Sequence, residues 1–164
     1  MDITCVDHLL ADHASELRWA REWRANPRNA APLSARQSEI IALVALGKTA
    51  DVEAAFPEFL TARAEGRTPA IGYALRVLRE LRWHGADATA QRLSRAALAR
   101  RDSSTGPLTR VELLLYAGEV EQAAALADSV RRAKPTNASA LMWSGMLAAR
   151  RNDRASATGA LQEL

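Results

Sequence analysis

The sequence predicts an all-α fold, an α-solenoid of about nine helices stacked as antiparallel pairs. Three observations carry that expectation. Turn residues Gly47, Gly85, Gly118 and Asn152 recur at separations of 38, 33 and 34 residues, the arithmetic of helix pairs that cannot bury their apolar faces alone and must stack on neighbours. Five residues past each turn stand Val52, Ala90, Ala123 and Ala157, and twelve past stand Phe59, Ala97, Val130 and Leu164. Small residues at the first position let helices cross closely, and apolar ones at the second close each pair. Finally, 48% of the 164 residues are hydrophobic, dominated by Ala and Leu, while only 5% are aromatic; that balance favours closely packed helices over sheets.

Taken in order, residues 1–7 show no period and should fray. A helix is expected from Leu9 to Ala25, with Leu9, Leu10, Leu17, Trp19, Ala20 and Trp23 partly sharing a face, until Asn26-Pro27 stops it. It reads as the second helix of an incomplete repeat, so residues 1–33 form an N-terminal cap and 34–164 form four pairs, 34–63, 69–100, 107–133 and 137–164. Ser34-x-x-Gln37 has the form of a capping box, followed by the apolar run Ile40, Ile41, Leu43, Val44 and Leu46 up to Gly47. The partner helix, to about Arg63, turns Val52, Ala55, Phe56 and Phe59 inward, and Pro57 should kink it or delay its start.

A connector over 64–68 leads to Thr68-Pro69, a threonine cap with proline at the first helical position. The helix Ala70 to Trp83 buries Ala74, Val77, Leu78 and Leu81; after Gly85, a helix from Ala86 to Arg100 buries Ala90, Leu93, Ala97 and Leu98. A polar loop from Asp102 restarts at Pro107, and Leu108, Val111, Leu114 and Leu115 carry the chain to Gly118. Ala123, Leu126, Ala127 and Val130 line the next helix. Pro135 and a Thr136-Asn137 cap then introduce the last pair, Ala138 to Arg150 and Asp153 to Leu164.

The charge balance is 22 basic against 19 acidic residues, a net +3, and 20 of the basic residues are arginine. Arginine alternates with Asp and Glu along most helices rather than gathering on one face, which disfavours a nucleic-acid interface. Cys5 is the only cysteine, so no internal disulfide or cysteine metal cluster can form, and a reducing compartment fits. The longest apolar run, Ile40 to Leu46, falls far short of the ~20 residues that span a bilayer. Met1 to Leu10 carries Asp2 and Asp7 and lacks the basic start of a secretion signal. A cytoplasmic protein with no membrane partner is expected.

The segment Gly118-Glu-Val-Glu-Gln-Ala123, followed by Ala133-Lys134-Pro135-Thr136-Asn137, resembles the second half of a tetratricopeptide repeat. The resemblance covers about residues 34–164 and is closer in the last two units than in the first two; Leu141 stands where the large early residue belongs, with Trp143 displaced. It implies a right-handed solenoid that binds protein or peptide partners. The phrase Gly66-Arg67-Thr68-Pro69 leading to Glu80-Leu81-Arg82-Trp83-His84-Gly85 is also similar to repeat tails of bacterial serine/threonine kinases or transcriptional regulators. No kinase motif or phosphate loop accompanies it, so such an activity would belong to another part of a larger protein.

Arg76, Arg79 and Trp83 fall at i, i+3 and i+7, opposite the apolar stripe of their helix, and Ser139, Trp143, Met146 and Arg150 share one side of theirs, with Tyr116 between. The repeat resemblance would place these sides on the concave groove, where arginine beside aromatic rings suits an acidic peptide. The plainer alternative is a solvated arginine face with Trp83 and Trp143 packed between pairs. The lysine and asparagine groove residues of carboxylate-clamping members are absent, so no chaperone-tail clamp is expected.

Of the remaining candidates, His8 and His13, with Asp7 and Asp12, lie five apart, which on one helix sends the rings to different sides and argues against a metal. His84 reads as a cap at a helix carboxyl end, Cys5 has no activating base, and Trp19 and Trp23 should be core. No nucleophile–base–acid set recurs. The expectation is a non-enzymatic scaffold without metal or cofactor that binds a protein or peptide, regulatory in signalling. The alternatives are an oligomerisation module, a C-terminal fragment of a larger kinase or regulator, and, last, a nucleic-acid binder. Leu161 and Leu164 end the chain on an apolar helix side without a polar capping helix, an edge suited to self-association.

Overall fold

The computed structural model describes residues 8, 10–62, 64–65, 68–100 and 105–164. Among them the chain is all-α, and the β-type pairing is confined to an isolated bridge between Glu65 and Thr68. The helices are α1 (His13–Ala25), α2 (Pro32–Ala45), α3 (Thr49–Ala55), α4 (Pro57–Thr61), α5 (Ala70–Trp83), α6 (Asp87–Ala99), α7 (Pro107–Ala117), α8 (Val120–Ala133), α9 (Ala138–Arg150) and α10 (Arg154–Gln162). The expectations for residues 1–7 with Cys5 and Asp7, and those touching Leu9, Arg63, Gly66, Arg67 and residues 101–104, lie outside the described residues.

The four expected turns share one backbone geometry. Gly47, Gly85 and Gly118 have φ of +70, +74 and +87°, and Asn152 has +59°, the left-handed region open to glycine and, among other residues, best tolerated by asparagine. At each, the following amide donates five residues back: Lys48 to Leu43 at 2.9 Å, Ala86 to Leu81 at 2.7 Å, Glu119 to Leu114 at 2.9 Å and Asp153 to Ala148 at 2.9 Å. The turn residue's own amide donates to Val44, Arg82, Leu115 or Ala149. These paired bonds satisfy carbonyls that a helix end otherwise leaves open, which is why the helix stops there.

Local starts differ from expectation in three places. Helix α1 begins at His13, not Leu9, because the Asp12 carboxylate accepts from the Ser15 amide at 3.1 Å and the chain before it reverses at Ala11, φ +57°. The Ser34-x-x-Gln37 box does not form: α2 opens at Pro32, and Glu65 accepts from the Leu33 and Ser34 amides at 2.9 and 3.1 Å and from Ser34 Oγ at 2.7 Å. Thr68 provides no cap for α5, whose N-cap is Pro69. By contrast Pro57 interrupts its helix as expected, dividing α3 from α4, because it has no amide to donate. Asn137 caps α9 through the Ala140 amide at 3.0 Å.

The chain divides into two compact units, residues 1–93 and 94–164. In the first, α1 packs on α2, α2 on α3 and on α5, and α4 on α5. In the second, α7 packs on α8 and α9, α8 on α9, and α9 on α10. Within each unit, then, a first helix touches its own partner, the helix before it and the next first helix, the pattern that stacked pairs require. The first core gathers Val52, Phe56, Phe59, Ala74, Val77, Leu78 and Leu81, all buried. The second joins Val111, Leu114, Leu115, Ala123, Ala127 and Leu147. Truncating one of these leucines to alanine removes about 2–5 kcal/mol.

The inward positions follow the expected register only in part. Val52, Ala90, Ala123, Phe59 and Ala97 are buried, whereas Val130 is half-buried and Leu164 is exposed. Close crossing in the last pair falls instead at Gly145, where an added Cβ would meet the Ala160 Cβ at 3.1 Å. No helix is long and apolar enough to cross a membrane among the described residues.

Candidate functional site

Helix α5 separates its two faces as its 3.6-residue period demands. Ala74, Val77, Leu78 and Leu81 are fully buried, and Arg76, Arg79 and Trp83 are exposed on the opposite stripe. Trp83 is 84% exposed, so for this residue the packed alternative is wrong. The same stripe, through Gly72 and Arg76, forms one wall of an open cleft of about 510 Å³ that Trp23 of α1 and Ser34, Gln37 and Ser38 of α2 complete. Its walls offer hydroxyls, an amide, a guanidinium and two aromatic rings, a mixture that can hold a chain by hydrogen bonds and stacking.

The floor of that cleft is held rigidly. Tyr73 is buried and stacks on Phe59 with ring centroids 6.2 Å apart, and its hydroxyl donates to Glu65 at 2.8 Å. Gln37 Nε2 donates to the Tyr73 carbonyl at 3.3 Å. Burial pushes the Glu65 carboxyl up, but the bonds it accepts from Ser34, Tyr73 and the Leu33 and Ser34 amides outweigh that and hold it below its ordinary value. Glu65 therefore joins the connector, the start of α2 and the cleft floor in one anionic node. Sequence reasoning missed it, since its partners lie 31 and 32 residues earlier.

The other four expected groove residues belong to the second unit and do not share one environment. Tyr116 is only 9% exposed, with its hydroxyl donating to Glu112 Oε1 at 2.8 Å, so it is a buried residue rather than one presented on an open groove. Trp143 is half-buried against the Val111–Leu147 core, the packed alternative in this case. Arg150 is exposed at the end of α9. Met146 lines an apolar groove of about 220 Å³ between α9 and α10, with Leu141, Met142, Leu161 and Leu164.

Trp19 is exposed beneath the Arg18 guanidinium, 5.3 Å from the ring centroid, and Trp23 is half-buried in the cleft wall, so neither is the core residue expected. Nor do His8 and His13 point to different sides. The left-handed Ala11, whose amide donates to the His8 carbonyl at 3.1 Å, folds the chain back, so the five-residue spacing is not that of one helix. The rings come within 5.2 Å of each other, and His13 meets His84 edge-on at 6.1 Å. Both Nδ1 atoms face Glu16 Oε2, at 3.0 Å from His8 and 3.2 Å from His13. His8 Nε2 and His84 Nε2 face Glu80 Oε1 at 3.3 and 3.1 Å. His84 is thus part of a cluster and not merely a helix cap. The signal in the sequence was Glu80-x-x-x-His84, four apart on one face of α5.

Comparison with known protein families, with characterised proteins and with solved structures finds no match for this chain.

Proposed function

We propose that this chain is a non-enzymatic binding module of the tetratricopeptide-like kind, a right-handed helical-repeat scaffold that receives an extended acidic segment of a partner protein along α5. The observation that carries the reading is Trp83, a large aromatic side chain 84% exposed on the same stripe as Arg76 and Arg79. Exposed tryptophan beside arginine is the composition of binding anchors. Arg76 continues the stripe into the cleft, where Ser34, Ser38 and Gln37 supply hydrogen bonds to a peptide backbone. The rigid floor built by Tyr73 and Glu65 leaves little ordering cost for binding to offset. A regulatory role in bacterial signalling, with the module acting in the cytoplasm, is the setting this reading implies.

The test is titration of the full chain with a set of fluorescein-labelled acidic peptides carrying one or two apolar residues, read by anisotropy. Trp83→Ala should weaken the best binder at least tenfold, and Arg76→Ala with Arg79→Ala should remove most of its salt dependence. Absence of binding by every peptide, or binding unaltered in Trp83→Ala, overturns the proposal.

A second reading, self-association, is favoured by the groove between α9 and α10, where Met142, Met146, Leu161 and Leu164 are all exposed. Apolar side chains gathered in this way are more typical of an interface than of a solvated surface. The occupant of that groove would be a second copy of the same edge.

A further inference from the structure

We propose that His8 Nε2, Glu80 Oε1 and His84 Nε2 form a binding site for a first-row divalent cation, with zinc as the best match, and that Glu16 acts as the outer partner that orients His8. The first ground is distance. Zinc to imidazole nitrogen or carboxylate oxygen is about 2.0–2.2 Å, so the edges of a tetrahedral site are about 3.3–3.5 Å. Glu80 Oε1 lies 3.3 Å from His8 Nε2 and 3.1 Å from His84 Nε2, and the three donor atoms lie within 4.8 Å of one another. Both Glu80 distances are thus already close to a tetrahedral edge, and the two imidazoles can close on an ion by side-chain rotation.

The second ground is proton placement. Glu16 is 3% exposed, and its Oε2 takes hydrogen bonds from His8 Nδ1 at 3.0 Å and His13 Nδ1 at 3.2 Å. A carboxylate oxygen accepts, so each Nδ1 carries a proton, and in the neutral imidazole His8 Nε2 keeps its lone pair. That lone pair faces Glu80 Oε1, itself an acceptor. In that form two acceptors stand face to face, an arrangement that a bound cation satisfies, and a carboxylate behind a histidine is what fixes a ligand's tautomer at metal centres.

The third ground is access. His8, Glu80 and His84 are all partly open to water, so an ion can enter and complete its shell with solvent. Two imidazoles and one carboxylate suit zinc and its neighbours rather than calcium or magnesium, which prefer oxygen shells. His13 stands behind, its ring against both His8 and His84, as packing and not as a ligand.

The experiment is calorimetric titration of the untagged full chain with zinc chloride. The expected result is one equivalent bound, with His84→Ala and Glu80→Gln each weakening it at least tenfold and His13→Ala changing it less than threefold. Cobalt(II) in the unaltered chain gives an independent reading, because a four- or five-coordinate ion absorbs far more strongly in the visible than hexaaqua cobalt. No uptake, unaltered affinity in His84→Ala, a loss in His13→Ala equal to that in His84→Ala, or only the weak hexaaqua spectrum would each overturn the proposal.

Discussion

At Gly118 the backbone has φ of +87°, and any Cβ there sits too close to the following carbonyl. Gly118→Ala should therefore cost about 1–2 kcal/mol, whereas Asn152→Gly, at φ +59°, should change stability by no more than about 0.5 kcal/mol. Urea midpoints of the two variants check both. Equal effects would mean that the turns are not held by backbone conformation. These positions were legible because the chemistry of a left-handed residue is local and few residue types tolerate it. Ala11 adopts the same conformation without such a residue, so the fold-back that unites His8 with His13 left no sign in the sequence. For Trp83 and Tyr116, periodicity gave the side of the helix but not what lies over it. That depends on neighbours far along the chain, which is why one of the two was assigned to the wrong environment.

At the scale of elements, Glu65 decides how α2 begins. Its carboxylate replaces the capping box, taking two amides and the Ser34 hydroxyl at a helix start where negative charge is favoured. Glu65→Ala should cost about 1–3 kcal/mol, the penalty for leaving such donors unsatisfied. Its carboxyl is held below the ordinary value of 4.5, so the stability it supplies is complete above that value in the unfolded chain and is lost as pH falls through the lower folded value. Urea unfolding between neutral pH and pH about 3 should show an acid-side loss that is smaller in Glu65→Gln; an identical pH profile in the variant would exclude this role. The helices themselves were readable, since inward stripes such as Ala74, Val77, Leu78 and Leu81 repeat at helical spacing. Their starts were less so. A cap supplied from the connector cannot be told from one supplied in sequence, and Ser34-x-x-Gln37 satisfied the local rule while its side chains bonded elsewhere.

For the whole molecule, the exposed apolar edge of α10 bears on assembly. Sedimentation velocity over a hundredfold range of concentration should show reversible dimer formation that Leu161→Glu abolishes, and a strict monomer throughout would remove self-association as a reading. The division into units at Leu93 and Ser94, inside α6, was not visible in a sequence whose turn spacing runs on through it, because spacing marks helix ends and not a boundary within a helix. The four left-handed turns have one more implication. Each joint has the same hydrogen-bonded ends, so a stretch excised between two of them would rejoin with its backbone geometry preserved. Such a chain meets the conformational requirement for growth by duplication of a cassette.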